Sequence, residues 1–297
     1  MEKDILEKYI KAGKINQEAK ELARKLLEPG VKVLDLAEKI EKFIKDKEGG
    51  VAFPVNISIN DIAAHYTPDI NDTLTLKEDD MVKVDIGTHI DGYIGDSAFT
   101  VRFGDKSDIL IKAAEDALEQ FIKNVRPGKT IDELSLLIEE VVTSHGVNPI
   151  RNLAGHVLEQ YTQHGDLSIP NGHVPIQQEL EEGQVIGMEV FTTTGEGIVK
   201  ESSPTLIYML TSPKPVRLRE SRKILELIMN EYQTLPFARR WLKNVGSQVG
   251  LQLALKELVS KGVLHEYPPL RERSFAPVAQ AEETIIIQDK PIITTRP

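Results

Sequence analysis

The 297-residue sequence predicts an α+β protein that is duplicated internally and interrupted by a helical insertion. The first observation is a repeat, because PGVKVLDLAEKIEKFI (29–44) and PGKTIDELSLLIEEVV (127–142) align at a constant offset of 98 residues. The second is that segments rich in β-branched residues lie between and after the two copies. The third is a run of helical patterns over 219–261. Helical layers that alternate with strands in this way indicate a duplicated domain.

Each element of this fold has its own sequence signal. Residues 4–28 carry apolar side chains at helical spacing, and Pro29-Gly30 ends that helix. A second helix is expected over 33–46, and the second copy has helical patterns over 113–125 and 127–142. β-Strands are predicted over 51–59, 62–66, 81–88, 93–102, 184–193, 204–210 and 278–287.

The later strands are separated by a helical block. Segments 219–233, 236–243 and 249–261 predict three consecutive helices. Pro236 suits a first helical turn, and Gly262 suits the position after a last turn. We therefore predict an inserted subdomain.

Composition limits the chemistry. The formal net charge is −10, from 46 acidic and 36 basic side chains, and no Lys/Arg cluster marks a nucleic-acid or anionic-membrane footprint. The absence of cysteine excludes disulfides, thiolate metal sites and cysteine nucleophiles, so any metal must be bound by oxygen and nitrogen. The N-terminal region lacks the apolar core of a signal peptide, and no segment reaches the ~18 apolar residues of a membrane span. We expect a cytoplasmic protein.

Two aspartates interrupt the apolar strands of VKVDIGTHIDGYIGDSAFTV (82–101). Because Asp91-Gly92 is a hairpin signal, we expect Asp85 and Asp96 to lie opposite one another, within one residue, on the same face. Carboxylates placed in this way repel each other. Two divalent ions ~3.5–4 Å apart suit such a pair. The alternative is that one aspartate caps the turn and the other faces solvent.

Three downstream residues are candidates to complete a metal site. His156 follows an Ala-Gly pair that permits close approach, although a lone histidine is more often a satisfied interior residue. Glu189 and Glu282 interrupt strands whose neighbours are apolar or small, where an unpaired carboxylate is costly. Period-2 alternation leaves Glu282 and Glu283 both eligible for the inward position.

Taken together, these residues resemble type II methionine aminopeptidases of archaeal character, within the creatinase-like pita-bread superfamily. The resemblance covers nearly the whole chain, with its motifs in the family's order. The motifs are AFPVNISINDIAAHYTP (52–68), VDIGTHIDGYIGDSAFTV (84–101), PIRNLAGHVLEQYTQHG (149–165), EEGQVIGMEVF (181–191), LPFARRWL (235–242), EYPPL (266–270) and QAEET (280–284).

The resemblance implies a pita-bread fold whose internal pseudo-two-fold agrees with the repeat. It implies a catalytic domain of residues 1–212 and 271–297. Residues 213–270 are then expected to form the helical, winged-helix-like insertion of type II enzymes.

Carried over residue by residue, the resemblance implies two divalent metal ions, with cobalt, manganese, iron or zinc as candidates. Because QAEET is similar to the family's Gln-Phe-Glu-His-Thr, it favours Glu282 over Glu283. The implied metal ligands are Asp85, Asp96, His156, Glu189 and Glu282. The residues that match family positions around the substrate are His65 and His164 at the scissile peptide, with Phe53, Phe191 and Tyr267 near the methionine pocket.

The implied activity is removal of the N-terminal methionine from nascent proteins and peptides, by attack of a metal-bridged hydroxide on the first peptide bond. Glu189 would transfer a proton to the leaving amine. His164 and His65 would donate hydrogen bonds to the developing negative charge. The expected partners are peptides and nascent chains with N-terminal methionine, at the ribosome, for a monomer that binds neither sequence-specific nucleic acid nor membrane.

The sequence departs from the family pattern at Val190, Ala281, Glu283 and Gln163, none of which removes an implied ligand. Three competing interpretations remain at this point. They are a non-catalytic pita-bread homologue that binds peptides or proteins, a Xaa-Pro dipeptidase, and an acidic metal-binding structural protein. AAHYTP and the helical insertion favour the aminopeptidase over the dipeptidase.

Overall fold

A computed structural model of the chain describes residues 1–104 and 108–297. The helices are α1 (Lys3–Leu26), α2 (Val33–Asp46), α3 (Ile109–Asn124), α4 (Ile131–Ser144), α5 (Arg219–Leu227) and α6 (Gln248–Ser260). The strands are β1 (Gly50–Ile59), β2 (Ile62–Ala64), β3 (Met81–Ile90), β4 (Tyr93–Arg102), β5 (Asn148–Pro149), β6 (Ala154–Val157), β7 (Ser168–Pro170), β8 (Val185–Thr193), β9 (Val199–Glu201), β10 (Ile207–Leu210), β11 (Phe237–Ala238), β12 (Leu264–Tyr267), β13 (Leu270–Glu272), β14 (Val278–Ile286) and β15 (Ile292–Ile293).

The repeat found in the sequence is present in the structure. Helices α2 and α4 begin and end at the same offset of 98 residues as the sequence repeat. Each follows a Pro-Gly turn in which the glycine has positive φ, 89° at Gly30 and 83° at Gly128. Helix α4 also has a capping box, because Thr130 and Glu133 exchange side-chain to backbone hydrogen bonds. The helical part of the predicted duplication is therefore confirmed.

A nine-stranded antiparallel sheet joins the two halves. Its main path runs β1-β3-β4-β14-β8-β6-β7, with β5 and β15 attached to β8 and β14. Strands β4 and β14 are neighbours at the centre of this path. From that centre, the strand order β4-β3-β1 on one side corresponds to β14-β8-β6 on the other. This arrangement places a pseudo-two-fold axis at the centre of the sheet.

Alternation along each strand separates a helix-covered face from an open face. In β3, Val84 and Ile86 are buried in a cluster with Leu36 and Ile40 of α2. In the second half, Met188 and Val190 pack in a corresponding cluster beneath α3 and α4. Burying such side chains is worth ~1.5–3 kcal/mol each, so these clusters fix the register. The intervening residues must then point to the opposite face.

The segment predicted as three helices differs in its middle part. Residues 237–238 form β11 instead of the predicted helix, and β11 pairs with β10, which also pairs with β12. Residues 239–242 form only a 3-10 turn. Arg240 is buried there against Glu41 of α2, and this tertiary contact overrides local helix propensity. Helix α5 continues as a π-helical turn over Ile228–Tyr232.

The short strand β6, which carries His156, was not predicted from the sequence. With four residues, it is too short to give a clear alternation pattern. Strand β10 begins at Ile207, three residues later than predicted, because Pro204 has no N–H to donate to a ladder. Within the described ranges, none of the helices combines the length and apolar character that a membrane span requires.

Candidate metal centre

The β3–β4 hairpin corrects the predicted pairing of the two aspartates. Asp91 and Gly92 form the two-residue turn, both with positive φ. Because both lie outside the ladder, the register is shifted by two residues, and Asp85 pairs with Ala98 instead of Asp96. The prediction of direct opposition is therefore wrong. A two-residue shift preserves the face, so Asp85 and Asp96 are diagonal neighbours on the open face of the sheet.

Acidic side chains form a row across four strands. Asp85 on β3 pairs with Ala98 on β4. Glu282 on β14 pairs with Ala98 from the other side and also with Glu189 on β8. Like charges placed opposite one another are destabilising. The small side chain of Ala98 leaves space in the middle of this row.

A second row lies two residues further along the same face. The backbone N–H of Asp96 donates to Oγ1 of Thr284, whose hydroxyl donates back to the Asp96 carbonyl, both at 2.7 Å. Gly187 pairs with Thr284 on one side and with His156 on the other. A Cβ at Gly187 would lie 3.2 Å from Cε1 of His156 and 3.3 Å from Oε1 of Glu282. Glycine therefore keeps the space between these two side chains open.

The donor atoms of the two rows fit a divalent metal. Asp96, His156 and Glu282 each offer a ligand atom, and these atoms lie within 4.8 Å of one another. Four buried atoms of the implied metal ligands have no hydrogen-bond partner in the described part of the chain. They are Oδ1 of Asp85, Oδ1 of Asp96, Oε1 of Glu282 and Nδ1 of His156. Unpaired buried polar atoms are costly, and carboxylate oxygens with imidazole are the donors that first-row divalent ions accept.

The electrostatics of the row are those of an uncompensated acidic cluster. Burial is the largest cause that raises the pKa of Asp85, to about 7. Burial also raises the pKa values of Asp96, Glu189 and Glu282, and repulsion from neighbouring carboxylates raises them further. Nε2 of Gln280 lies 3.2 Å from a Glu282 oxygen and 3.4 Å from oxygens of Asp85 and Glu189. One amide is thus shared by three carboxylates.

Three histidines surround the acidic cluster, and all three are neutral at pH 7. Burial, followed by repulsion from His164, holds the pKa of His156 well below its usual value. Burial lowers the pKa values of His65 and His164 to about 4. The rings of His156 and His164 are T-shaped with centroids 4.5 Å apart, and Tyr267 lies against both His65 and His164. His65 has positive φ, and its Nδ1 lies 3.3 Å from the carbonyl oxygen of Pro268.

A pocket opens onto this cluster, and all ten residues named from the resemblance line it. They are Phe53, His65, Asp85, Asp96, His156, His164, Glu189, Phe191, Tyr267 and Glu282. The remaining lining residues are Asn56, Ala64, Leu153, Gln163, Ile207 and Pro236. One wall is therefore anionic, while apolar and aromatic side chains dominate the other.

The residues that depart from the family pattern fall in different environments. Ala281 and Glu283 lie on the helix-covered face of β14, and Nζ of Lys20 is 2.8 Å from Glu283 Oε1. Val190 is fully buried in the core of the second half. Gln163 alone among them lines the pocket.

Sequence reasoning assigned no role to three polar residues of the site. Gln280 contacts three carboxylates, and Thr284 anchors the backbone of Asp96. Period-2 alternation in QAEET already places both on the same face as Glu282. Asn56 pairs with Asp85, and its buried Oδ1 has no partner among the described residues. Recognising Asn56 required the register of β1, which contains irregularities.

Comparison with known proteins agrees with this geometry. The model for metallopeptidase family M24 matches residues 7–219. The chain is 49% identical over 291 residues to the methionine aminopeptidase of Pyrococcus abyssi, covering 98% of this chain and 99% of the relative. It is 45% identical over 298 residues to the methionine aminopeptidase of Methanocaldococcus jannaschii, covering 100% of each.

Solved structures show the same fold. A thermophilic Arx1 superposes with a TM-score of 0.88 at 22% identity, covering 100% of this chain and 92% of that one. The methionine aminopeptidase of Thermotoga maritima superposes with a TM-score of 0.73 at 22% identity, covering 100% and 98%. The predicted α+β pita-bread fold is confirmed. With the family model matching more than half of its length and full-length relatives at this identity, the chain belongs to metallopeptidase family M24.

Proposed function

We propose that this chain is a methionyl aminopeptidase that hydrolyses the first peptide bond of polypeptides with an N-terminal methionine. The observation that carries the proposal is the convergence of four carboxylates and one imidazole, with unpaired buried donor atoms, at a pocket with an apolar wall. The names of the relatives, at 38–49% identity over nearly the full length, support it.

The proposed cofactors are two divalent ions, with cobalt, manganese, iron or zinc as candidates, since the donor set contains oxygen and nitrogen only. When bound, such ions would polarise the scissile carbonyl and activate the attacking water. The residues proposed to hold them are Asp85, Asp96, His156, Glu189 and Glu282. The two adjacent rows on one sheet face support this set.

Glu189 is the proposed proton carrier. It is partly exposed, whereas Asp96 and Glu282 are each 1% exposed. Its carboxylate is therefore the better placed to meet both a water and a substrate. A carboxylate at this position can accept a proton from the attacking water and later donate it to the leaving amine.

The two pocket histidines have different proposed roles. A carbonyl oxygen only accepts, so Nδ1 of His65 must carry the proton that is donated to Pro268. The low pKa of His65 keeps its ring neutral, which leaves Nε2 as an acceptor. We therefore assign His65 to the N–H of the scissile peptide instead of the oxyanion expected from the sequence. His164, which is more exposed, remains the proposed donor to the oxyanion.

Substrate selection follows from the two walls of the pocket. Phe53 and Phe191 are almost fully buried, and Ile207 and Pro236 add apolar surface. This wall suits the side chain of methionine, which is unbranched and apolar. The anionic wall attracts a free α-amine, which favours cleavage after the first residue only.

We also propose a division into a catalytic domain (1–212 and 271–297) and an insertion (213–270), which is winged-helix-like. Strands β11 and β12 with helices α5 and α6 support this division, although they pack on β10 (Ile207–Leu210), which lies just before residue 213. We propose that the protein acts as a monomer in the cytoplasm, on peptides and on nascent chains at the ribosome. The proposed substrate class, which includes nascent chains, supports the cytoplasm and the ribosome as the place of action.

The test is hydrolysis of Met-Ala-Ser and of Xaa-Pro dipeptides by metal-loaded protein. Glu189→Gln provides the variant, and Glu283→Gln on the opposite face of β14 provides the matched control. We expect cleavage of Met-Ala-Ser only, with kcat lost in Glu189→Gln and retained in the control. Activity on Xaa-Pro dipeptides alone would identify a dipeptidase, and no activity on either would indicate a binding homologue.

A further inference from the structure

The overall negative charge conceals an opposite charge on the insertion, so the expectation that the chain has no Lys/Arg cluster is wrong for this part of it. Residues 213–270 contain 10 Lys and Arg against 5 Asp and Glu, a net charge of +5. The remaining residues contain 26 basic and 41 acidic side chains, a net charge of −15. A charge asymmetry of this kind between two parts of one chain indicates a polyanionic partner for the basic part.

Three of the ten cations attach the insertion to the rest of the protein. Arg239 pairs with Asp69 at 2.6 Å, Arg240 pairs with buried Glu41, and Lys243 lies 3.8 Å from a carboxylate of α2. The other seven make no salt bridge within residues 1–104 and 108–297. They are Lys214, Arg217, Arg219, Arg222, Lys223, Lys256 and Lys261.

Six of these seven form what we call the basic face. Nζ of Lys214 donates to the carbonyl of Lys261, and Nζ of Lys261 donates to the carbonyl of Pro215. Nη1 of Arg222 donates to the backbone carbonyl of Arg217, which places the Arg222 guanidinium beside that residue. Exposed positions of α5 at helical i, i+3 and i+4 spacing extend the same surface. The basic face comprises Lys214, Arg217, Arg219, Arg222, Lys223 and Lys261.

Two carboxylates lie beside this face, Glu226 at a surface pocket with Lys214 and Arg222 and Glu257 at the backbone of Arg217, and they do not neutralise its six cations. The two oxygens of Glu257 accept the backbone N–H groups of Arg217 and Leu218 at 2.8 and 3.1 Å and the hydroxyl of Ser221 at 2.6 Å. Glu257 therefore orders the segment that presents the cations, while their side chains stay available. Half of the basic face is arginine, whose planar guanidinium suits bidentate contact with phosphate.

We propose that the basic face binds the phosphate backbone of structured RNA without reading its sequence. A membrane partner is less well supported, because α5 directs Ile224 and Ser221 into the insertion core and has no continuous apolar face free to enter lipid. RNA presents phosphates at a regular spacing that a surface with several guanidinium groups can match.

The inference rests on the proposed function for its biological meaning. The insertion also contributes Pro236 and Tyr267 to the wall of the pocket. An insertion held on RNA would thus keep the pocket close to any RNA-rich assembly from which new N-termini emerge. The surface itself is separate from the metal ligands, so the two proposals can fail independently.

The test compares two variants with equal changes in net charge. Arg217→Glu, Arg219→Glu, Arg222→Glu and Lys223→Glu combined reverse four cations of the basic face. Lys11→Glu, Lys14→Glu, Lys39→Glu and Lys123→Glu combined reverse four exposed lysines outside the insertion. The probe is a fluorescein-labelled RNA hairpin of about 24 base pairs, and binding is followed by anisotropy between about 50 and 200 mM salt. Phosphatidylserine vesicles and Met-Ala-Ser hydrolysis are measured on the same preparations.

We expect wild-type protein to bind the hairpin with a steep salt dependence. The basic-face variant should lose at least about tenfold in affinity, and its log K against log salt slope should be shallower by about 1 for each phosphate contact removed. The control variant should bind like wild type, and both variants should hydrolyse Met-Ala-Ser normally, which also reports correct folding. Equal losses in both variants, or binding to vesicles in preference to RNA, would overturn the inference. Wild-type protein that cleaves the peptide but does not bind RNA would overturn it while leaving the proposed function intact.

Discussion

Replacement of Asp85 by asparagine should stabilise the metal-free protein at neutral pH while weakening metal binding. Asp85 is 9% exposed, and burial raises its pKa from the usual 3.8 to about 7. Ionising this group in the folded, metal-free protein therefore costs free energy. Asparagine has a similar shape and no charge, so it removes this cost together with one metal-binding oxygen.

The expected size of the effect follows from linkage. The pKa of Asp85 is higher in the folded protein than in the unfolded chain. Its contribution to the free energy of unfolding is therefore fully present below pH 3.8 and is lost as pH rises through about 7. Integration between these two pKa values predicts that the free energy of unfolding of Asp85→Asn exceeds that of metal-free wild type by about 2 kcal/mol at pH 5 and by about 4 kcal/mol at pH 8. The growth of the difference with pH is diagnostic, because a constant offset could arise from changed hydrogen bonding. Repulsion among the four carboxylates spreads the titration over several steps.

The measurement is urea unfolding of chelated wild-type and Asp85→Asn proteins between pH 5 and pH 8. Isothermal titration calorimetry with manganese or cobalt at pH 7.5, within that range, supplies the second readout. We expect the stability curves to diverge with rising pH, and wild type to recover stability when metal is added. Parallel curves, or a variant that is less stable than metal-free wild type at pH 8, would refute the reasoning from burial.

Three further changes test other parts of the structure. Glu189→Gln should lower kcat for Met-Ala-Ser by about 10²-fold or more with unchanged circular dichroism, and a wild-type kcat would contradict the role of this residue. Arg240→Met should lower the free energy of unfolding in urea by about 3–5 kcal/mol, because the buried carboxylate of Glu41 would lose its cationic partner. The double variant with Glu41→Gln should recover part of this loss. Gly187→Ala should weaken metal binding about 10-fold or more, since the added Cβ would crowd His156. Isothermal titration calorimetry measures the affinity, and an unchanged value would argue that the metal does not need the space left by Gly187.

Strong local patterns were enough to predict most of the fold. The bounds of α2 and those of β4 agree with the structure because apolar periodicity and turn residues point to the same answer. The middle of the insertion was predicted wrongly because Arg240 and its neighbours are placed by contacts with α2 and β10, which no local pattern encodes. Short strands such as β6 were missed for the same reason, since their pairing partners lie far away in the sequence.

The sequence was enough to predict which face of the sheet carries the site, but not which residues pair across neighbouring strands. Alternation in β3 requires Asp85 to point away from Val84 and Ile86, and this holds whatever the pairing. The partner opposite Asp85 depends on how many residues the turn consumes, and that number changed the pairing from Asp96 to Ala98. Alternation alone also left Glu282 and Glu283 both eligible; only the resemblance favoured Glu282, and the pairing of Glu282 with Ala98 and Glu189 puts it on the open face.

Strand β14 contains two solutions to the problem of burying a carboxylate. Glu283, on the helix-covered face, is bound by Lys20, Thr295 and Arg296, so the fold itself satisfies its charge. Glu282 is one residue away on the open face, where its neighbours are other carboxylates and its Oε1 has no partner among the described residues. A sequence selected only for stability would not maintain the second arrangement beside the first. The contrast within one strand therefore argues that the open face is maintained to bind cations, and that metal binding supplies stability which the metal-free fold lacks.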